Sequence, residues 1–390
     1  MKIFKLKDIS EFIRNGVTIK QDISSKEGIP ITRIETISKG TIDFNKLGYA
    51  NIFKIEKYKE WLLKKGDILI SHINSEKHLG KSAIYLDNNY DIIHGMNLLC
   101  IRAIDKKVFP EYLQLFFKTN QYKKQIKKIT KKSVNQASFS VNDFKEILIT
   151  VPDLNIQEKI IKKIKVLEKI LENNKLKLNY LSELTKSLFT RMFGDIKSND
   201  KNWKIYKFSE KLKISSGGTP SKANKIYWEN GTISWIGSNM CNDEIITKND
   251  GKFITEEGLK NSSAKIYKMN TVIVALVGAT IGKTGLLKFE TSTNQNIAAL
   301  EIKNMDYSSE FLFFLLQNLY YKFTELGGDT FKMANLSFIK NLPLISPPIE
   351  LQNKFAERIE KIEKLKFEIE KSIEESQKLY NSLISKYFDN

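Results

Sequence analysis

Two stretches of the chain repeat apolar residues at alternating spacings of four and three positions. This period of 3.5 residues is typical of the seam of a coiled coil, where two helices pack side by side. Neither stretch contains glycine or proline before Gly194, and prolines stand just before each, at Pro152 and at Pro347. We predict two helices of about 37 residues, each roughly 55 Å long at ~1.5 Å per residue. The predicted helix-pairing seam consists of Ile160, Ile164, Leu167, Leu171, Leu178, Leu181 and Leu188, and of Phe355, Ile359, Ile362, Ile369, Ile373, Tyr380 and Leu383.

The second stretch is a copy of the first that lies 195 residues further along the chain. Residues 151–193 align with residues 346–388 without a gap, and upstream residues 5–16 align less closely with residues 207–218. Runs rich in β-forming residues alternate with glycine and asparagine turns in both halves. The internal repeat therefore predicts two similar mixed α/β (α+β) domains, each followed by a long helix.

This order of elements has a geometric consequence. The first helix leaves the first domain and the second helix leaves the second, so helices whose seams pair must run antiparallel, with a pseudo-twofold axis relating the halves. One shorter helix is predicted in each domain, over residues 111–128 and 309–325. A coiled-coil scaffold is the alternative interpretation of the heptads. The predicted boundaries are 1–150 for the first domain, 151–194 for the first long helix, 195–346 for the second domain and 347–390 for the second long helix.

The charge of the chain favours a polyanionic partner. Its 63 lysines and arginines exceed its 45 aspartates and glutamates, which gives a net charge of +18. The excess is concentrated in residues 1–150, with 27 basic and 16 acidic residues, whereas residues 347–390 carry 8 and 9. A basic surface attracts phosphate polymers and releases their counterions. A lysine-rich composition is the alternative explanation, but it does not account for the segment that lacks the excess.

The same composition bears on the compartment. No run approaches the ~20 apolar residues of a membrane span, and the chain begins without the apolar core of a signal peptide. Its two cysteines, Cys100 and Cys241, are too few for a disulfide framework. We expect a soluble, cytoplasmic protein that does not contact a membrane.

Two segments resemble catalytic motifs without fulfilling them. Residues 272–284 read as a strand followed by a phosphate-binding loop, but three residues rather than the required four separate Gly278 from Gly282. Residues 346–349 resemble the Ser-Pro-Pro-aromatic motif of amino-methyltransferases, yet Ile349 cannot stack on a flipped base. The chain's three histidines are too scattered for a metal site. A self-contained enzyme is therefore disfavoured, and we expect no catalytic residue, metal or cofactor in this chain.

The duplicated arrangement resembles the specificity subunits of type I restriction-modification systems over essentially the whole chain. The resemblance is carried by residues 217–221 (Gly-Gly-Thr-Pro-Ser), by residues 342–348 (Leu-Pro-Leu-Ile-Ser-Pro-Pro) and by Gln352. The first half departs from this pattern: residues 15–18 read Asn-Gly-Val-Thr and residues 151–153 read Val-Pro-Asp.

The resemblance implies a function in DNA recognition without catalysis. Each domain would be a target-recognition domain that reads one half of a split, asymmetric double-stranded DNA site. The helix pair would act as spacer and dock two methyltransferase subunits, which use S-adenosylmethionine to methylate adenine. Two restriction and motor subunits that use ATP and Mg²⁺ would join them in host defence. A related multisubunit methyltransferase without the motor is the alternative.

The sequence offers several candidate DNA-binding residues on turns and on one basic segment. Groove contacts require Arg, Lys, Asn, Gln or Ser, and lysines contact phosphates elsewhere. In a helix, the lysines at 124, 127, 128 and 131 would share one face suited to a phosphate track. The candidates are Lys77, Lys81, Lys124, Lys127, Lys128, Lys131, Asn135 and Gln136 in the first domain, and Ser221, Lys222, Lys283, Asn294, Gln295 and Lys332 in the second.

Overall fold

A computed structural model describes residues 2–20, 27–87, 90–133, 136–326 and 333–389. The chain forms two compact units. Unit 1 comprises residues 1–175 and 370–390, and unit 2 comprises residues 176–369. Each unit therefore contains one half of each long helix. In the part of the chain that the structure describes, no helix is both long and apolar enough to cross a membrane.

Unit 1 is built on an antiparallel sheet that is buried on both faces. Its strands are β1 (Lys2–Lys5), β2 (Ser10–Asn15), β3 (Ile68–Ser71), β4 (Ile73–Asn74), β5 (Ser82–Ile84), β6 (Leu98–Ala103), β7 (Lys131–Lys132), β8 (Ala137–Ser138) and β9 (Leu148–Val151). Its helices are α1 (Pro110–Phe116), α2 (Asn120–Ile129), α3 (Val141–Lys145) and the start of α4 (Leu154–Phe193). The main sheet has the order β2-β6-β3-β5, beside smaller sheets β4-β8-β7 and β1-β9.

The alternation of side chains along these strands explains the double burial. Ile68 and Ile70 of β3 face a core that includes Phe116 of α1. Leu69 between them faces a second core with Tyr85. Successive side chains of a strand point to opposite faces, so an unbroken apolar run is buried on both sides.

Unit 2 repeats the main sheet of unit 1 with one additional strand, β13, at its edge. Its strands are β10 (Ile205–Lys207), β11 (Leu212–Ser216), β12 (Ile233–Ile236), β13 (Glu244–Ile246), β14 (Phe253–Ile254), β15 (Ile266–Tyr267), β16 (Val272–Ala275), β17 (Thr284–Leu287), β18 (Thr291–Thr293), β19 (Ile297–Ile302) and β20 (Pro343–Ile345). Its helices are α5 (Phe208–Lys211), α6 (Glu256–Lys260), α7 (Ser309–Asn318), α8 (Tyr320–Thr324), α9 (Leu336–Lys340) and the start of α10 (Ile349–Phe388). The sheets have the orders β11-β19-β16-β17-β13, β14-β12-β18-β15 and β10-β20.

The internal repeat is confirmed by matching connections in the two units. The order β11-β19-β16-β17 reproduces β2-β6-β3-β5. Trp235 pairs in parallel with Ser292 in unit 2, and Ile31 pairs in parallel with Ile93 in unit 1. The prediction of two similar mixed α/β domains is therefore correct.

A buried glutamine fixes the start of each long helix by the same three hydrogen bonds. Gln157 accepts from the backbone N–H of Phe109 (2.9 Å) and donates to the carbonyls of Lys107 (3.1 Å) and Pro152 (2.8 Å). Its repeat equivalent, Gln352, accepts from the N–H of Ser308 and donates to the carbonyls of Asp306 and Pro347. We call Gln157 and Gln352, with these partners, the glutamine clamps.

The long helices pair antiparallel within each unit, as predicted. In unit 1, Asn174 Nδ2 donates to Ser372 Oγ (3.1 Å), and Tyr380 Oη donates to Glu168 Oε1 (3.4 Å). Residue numbers therefore rise along α4 as the numbers of their partners on α10 fall. In unit 2, Phe189 near the end of α4 meets Phe355 near the start of α10, with ring centroids 5.6 Å apart. Every residue of the predicted seam is buried or half-buried.

The prediction of one shorter helix in each domain was wrong in one respect, because each predicted segment forms two helices. Residues 111–128 form α1 and α2, and residues 309–325 form α7 and α8. The break in unit 1 lies at Thr119, whose hydroxyl donates to the Phe116 carbonyl (2.7 Å) and accepts from the Tyr122 N–H (3.1 Å). This N-cap satisfies the first turn of α2 and separates it from α1.

Candidate nucleic-acid interface

Unit 2 contains an open cleft of about 510 Å³ beside the end of β12. It brings together two of the predicted residues, Lys222 and Asn294, although they lie far apart in the sequence. The cleft is lined by Lys222, Lys225, Trp228, Glu229, Trp235, Gly237, Ser238, Asn239, Lys252 and Asn294.

Two tryptophans build one wall of this cleft and hold the Gly-Gly-Thr-Pro-Ser loop against it. Trp228 and Trp235 meet edge to face, with ring centroids 5.2 Å apart. Their indole N–H groups donate to the carbonyls of Ser221 (3.1 Å) and Gly218 (2.9 Å). A Cβ atom on Gly218 would collide with the backbone of Ser263, so this close approach requires glycine.

The loops that follow β11 in unit 2 and β2 in unit 1 are held by equivalent backbone hydrogen bonds. Gly218 donates its N–H to the carbonyl of Thr293 (2.8 Å), and Val17 donates to the carbonyl of His94 (2.9 Å). The departure of residues 15–18 from the glycine-rich pattern therefore leaves this backbone contact intact.

Lysines give the rim of the unit 2 cleft a positive charge. Lys252 lies 2.6 Å from the Asp250 carboxylate, and Lys225 lies 3.9 Å from Glu229. Among the described residues, no carboxylate lies within 4 Å of the Lys222 ammonium. Lys222 is thus an exposed cation available to a phosphate, and Ser221 beside it is also exposed.

Unit 1 contains a different cleft, of about 490 Å³, between helix α2 and the turn that precedes β5. Its floor is apolar and includes Tyr122 and Ile126, while Glu76 on the rim pairs with Lys132 at 2.9 Å. The lysines that line this cleft are Lys77, Lys81, Lys123, Lys127 and Lys132. A rim with several lysines suits contacts with DNA phosphates.

The predicted basic helix face is only partly a helix. Lys124, Lys127 and Lys128 are exposed on α2, but Lys131 lies in strand β7. The helix ends at Ile129, because Thr130 has an extended backbone (ψ 126°), and the Thr130 hydroxyl donates to the Ile126 carbonyl (2.7 Å). In the described part of the chain, none of these four lysines has an ion-pair partner.

Reversing these four charges tests whether the segment follows phosphates. We expect glutamate at Lys124, Lys127, Lys128 and Lys131 to weaken binding to all DNA sequences alike. The slope of log K against log salt should become shallower by up to ~0.9 for each phosphate that the protein no longer neutralises. The same change at four exposed lysines of the long helices, Lys162, Lys169, Lys361 and Lys364, is the control. An unchanged slope in the first variant would assign the segment to solvent.

Two repeat-equivalent lysines hold hairpin turns in place. Lys81 donates to the carbonyl of Ser38 (3.0 Å), and Lys283 donates to the carboxylate of Asp243 (2.6 Å), a hydrogen bond that raises the pKa of Lys283. Lys81 precedes β5, which pairs antiparallel with β3, and Lys283 precedes β17, which pairs antiparallel with β16. The segment that resembles a phosphate-binding loop is therefore a hairpin turn.

The remaining predicted residues are dispersed. Gln136 is exposed beside β8, and Gln295 is exposed with its carbonyl oxygen 2.5 Å from the Thr219 hydroxyl, which donates to it. Asn135 and Lys332 lie outside the described residues. The sequence did not single out several residues that the fold brings to the unit 2 cleft, namely Lys225, Trp228, Ser238, Asn239 and Lys252.

Buried histidines and cysteines add no charge to these clefts. Burial lowers the pKa of His72 and His94 to about 4, so both are neutral at physiological pH. Cys100 and Cys241 are buried thiols whose pKa is raised by the same cause. In the ranges that the structure describes, no three His, Cys, Asp or Glu side chains are placed to hold a metal ion.

Comparison with known proteins gives this architecture its family. The family model described as the type I restriction modification DNA specificity domain matches residues 1–181 and, a second time, residues 200–378. The chain belongs to this family. The two matches fall on the two halves of the internal repeat, and they identify the chain as a type I specificity subunit.

Individual relatives agree with this assignment. A Methanocaldococcus jannaschii protein described as the MjaX type I restriction enzyme specificity subunit is 30% identical over 385 residues, which cover 93% of this chain and 87% of the relative. The MjaIX specificity subunit of the same organism is 24% identical over 301 residues, 72% of this chain and 68% of the relative. The crystal structure of a type I S subunit from M. genitalium shares the fold, with a TM-score of 0.64 at 14% identity over 99% of this chain and 96% of that one.

Proposed function

We propose that this specificity subunit reads a bipartite, asymmetric DNA site, with one half recognised by each unit. The observation that carries the proposal is the presence of two DNA specificity domains in one chain, each with its own lysine-rimmed cleft. The linings differ: unit 2 offers tryptophan and carboxamide side chains, whereas unit 1 offers lysines over an apolar floor. Different linings select different bases, so the two half-sites should differ in sequence.

The outer surface of the long helices supports a docking function. Among the described residues of these helices, nine apolar ones are exposed outside the seam, and four of them recur at equivalent positions of the repeat: Ile170 (37%), Leu184 (51%), Leu365 (49%) and Leu379 (50%). Ile170 and Leu365 are equivalent in the repeat, as are Leu184 and Leu379. Unit 1 thus carries Ile170 with Leu379, which we call docking patch 1, and unit 2 carries Leu184 with Leu365, docking patch 2.

Two equivalent patches on one chain suit two copies of one partner. In each antiparallel pair, the two patch residues directly precede positions of the heptad pattern, Leu171 and Tyr380 in unit 1 and Thr185 and Lys366 in unit 2, and flank the seam on the same side. Isolated apolar side chains are common on surfaces. Exposed apolar residues that recur at equivalent positions of the internal repeat indicate an interface. We assign these patches to two methyltransferase subunits.

The chemistry is assigned to partner subunits. The methyltransferases would use S-adenosylmethionine to methylate adenine, and two restriction and motor subunits would use ATP and Mg²⁺. Lys283, the lysine of the segment that resembles a phosphate-binding loop, is held by Asp243. That contact favours a structural role for the segment over nucleotide binding.

Methylome sequencing tests the proposal directly. Cells that express this chain with its methyltransferase partner should carry methylated adenines in a motif of two specified parts separated by an unread spacer. Cells that express the methyltransferase alone are the control and should lack the motif. A continuous motif, or methylation that does not depend on this chain, would contradict the proposal.

A further inference from the structure

The unit 2 cleft contains a hydrogen-bond donor and an acceptor that flank one glycine. A Cβ atom built on Gly237 would lie 2.6 Å from Asn239 Oδ1 and 3.8 Å from Asn294 Nδ2. Asn294 follows β18 and Asn239 lies in the turn after β12, and these strands pair in parallel. The sheet therefore brings the two carboxamides to one point on the cleft surface.

Their neighbours fix the orientation of both carboxamides. Asn294 Oδ1 accepts from the backbone N–H of Asn296 (3.1 Å), and because a backbone N–H can only donate, the Nδ2 group must point away from it. Asn239 Nδ2 faces the carboxylate of Asp250 at 3.4 Å, which leaves Oδ1 as the free end. In the described structure, neither Asn294 Nδ2 nor Asn239 Oδ1 has a hydrogen-bond partner.

This pair is available to a ligand. Asn239 is exposed, Asn294 is half-exposed, and both line the open cleft with Lys222 on its rim. Gly237 leaves the space between them empty because it has no side chain. Its φ of −97° and ψ of 169° are accessible to any residue, so backbone conformation does not require glycine here.

A free acceptor beside a free donor matches the major-groove edge of adenine, which presents the N6 amino group as a donor and N7 as an acceptor. Guanine presents two acceptors, O6 and N7, at these positions, so its O6 would face Asn239 Oδ1 without a proton between them. We infer that Asn239 and Asn294 together read one adenine of the half-site recognised by unit 2, with Asn239 Oδ1 accepting from N6 and Asn294 Nδ2 donating to N7. This inference rests on the proposed function and adds the base and the side chains that select it.

The inference is tested by measuring how the assembled complex binds DNA duplexes that contain the motif identified by methylome sequencing. Each base pair of the motif is replaced in turn, and adenine is also replaced by 7-deazaadenine, which lacks the N7 acceptor. For the wild-type complex we expect one adenine of the unit 2 half-site at which guanine weakens binding roughly 5- to 150-fold. The 7-deaza substitution at that adenine should also weaken binding.

Two variants separate the two contacts. Asn239→Ala should lose the preference for adenine over guanine at that position, and Asn294→Ala should become insensitive to 7-deazaadenine there. Preferences at all other positions should be unchanged. Asn261→Ala, at an exposed asparagine outside the cleft lining, is the matched control and should bind like wild type.

Gly237→Ala provides an independent test if a carboxamide variant fails to fold. Its Cβ would displace the Asn239 carboxamide without changing charge, so the adenine preference should again be lost. Variants that bind with the wild-type base profile, or a unit 2 half-site without such an adenine, would overturn the inference. A wild-type complex without any sequence preference would instead overturn the proposed function itself.

Discussion

Aspartate at both residues of docking patch 1, Ile170 and Leu379, is expected to remove one of two methyltransferase subunits from the assembled complex and leave the other bound. The carboxylates would have to be desolvated in an apolar contact without a partner, which costs several kcal/mol or about a thousandfold in affinity. The fold should persist because both side chains lie outside the seam. Native mass spectrometry of the complex would count the subunits.

The repeat supplies the controls for this experiment. The same change in docking patch 2, at Leu184 and Leu365, should also leave one partner bound, and all four changes together should leave none. Val166→Asp is the control, because Val166 is also exposed on α4 (59%) but is replaced by Lys361 in the repeat. Retention of both partners, or loss of both from a single-patch variant, would show that these patches are not separate docking sites.

Arg102→Ala is expected to destabilise unit 1 by about 3–5 kcal/mol. Asp67 is almost completely buried (1% exposed), and Arg102 holds its carboxylate by two parallel hydrogen bonds of 2.7 Å. Without the guanidinium, the buried carboxylate keeps the hydrogen bond from the Lys64 backbone N–H (2.8 Å) but has no counter-charge. Urea denaturation followed by circular dichroism would measure the loss in free energy of unfolding.

The second unit shows how Asp67 can be replaced. Thr271 directly precedes β16 as Asp67 directly precedes β3, and it is also buried. The double variant Asp67→Thr, Arg102→Leu should therefore recover most of the stability lost in Arg102→Ala, because no unpaired charge remains. A single variant as stable as wild type, or a double variant less stable than the single one, would contradict this account.

The parts of the fold that could be predicted from the sequence depend on local periodicity. The long helices begin and end within a few residues of the predicted bounds, because a heptad pattern records directly which side of a helix is buried. The split between α1 and α2 was missed because most of residues 111–128 are good helix formers and none is glycine or proline. There the side chain of Thr119 and the packing of Phe116 against Tyr122 override that preference.

The candidate site was only partly predictable because its residues meet through the sheet. Turn chemistry pointed to Lys222 and Asn294, but Asn239 and Trp228 become neighbours of Asn294 only when β12 pairs with β18. The contact of Lys283 with Asp243 was likewise hidden, since the two residues are 40 positions apart. Sequence spacing indicates which residues can contact DNA, whereas strand pairing determines which of them share a surface.

The glutamine clamps bear on how such a protein can change its specificity during evolution. Gln157 and Gln352 join each domain to its helix through the same backbone groups, so the joint does not depend on the residues that line either cleft. A gene segment encoding one domain could therefore be exchanged by recombination with the segment from a related gene and still find a matching joint. New DNA targets could arise in a single genetic event, while the contacts with partner subunits stay as they were.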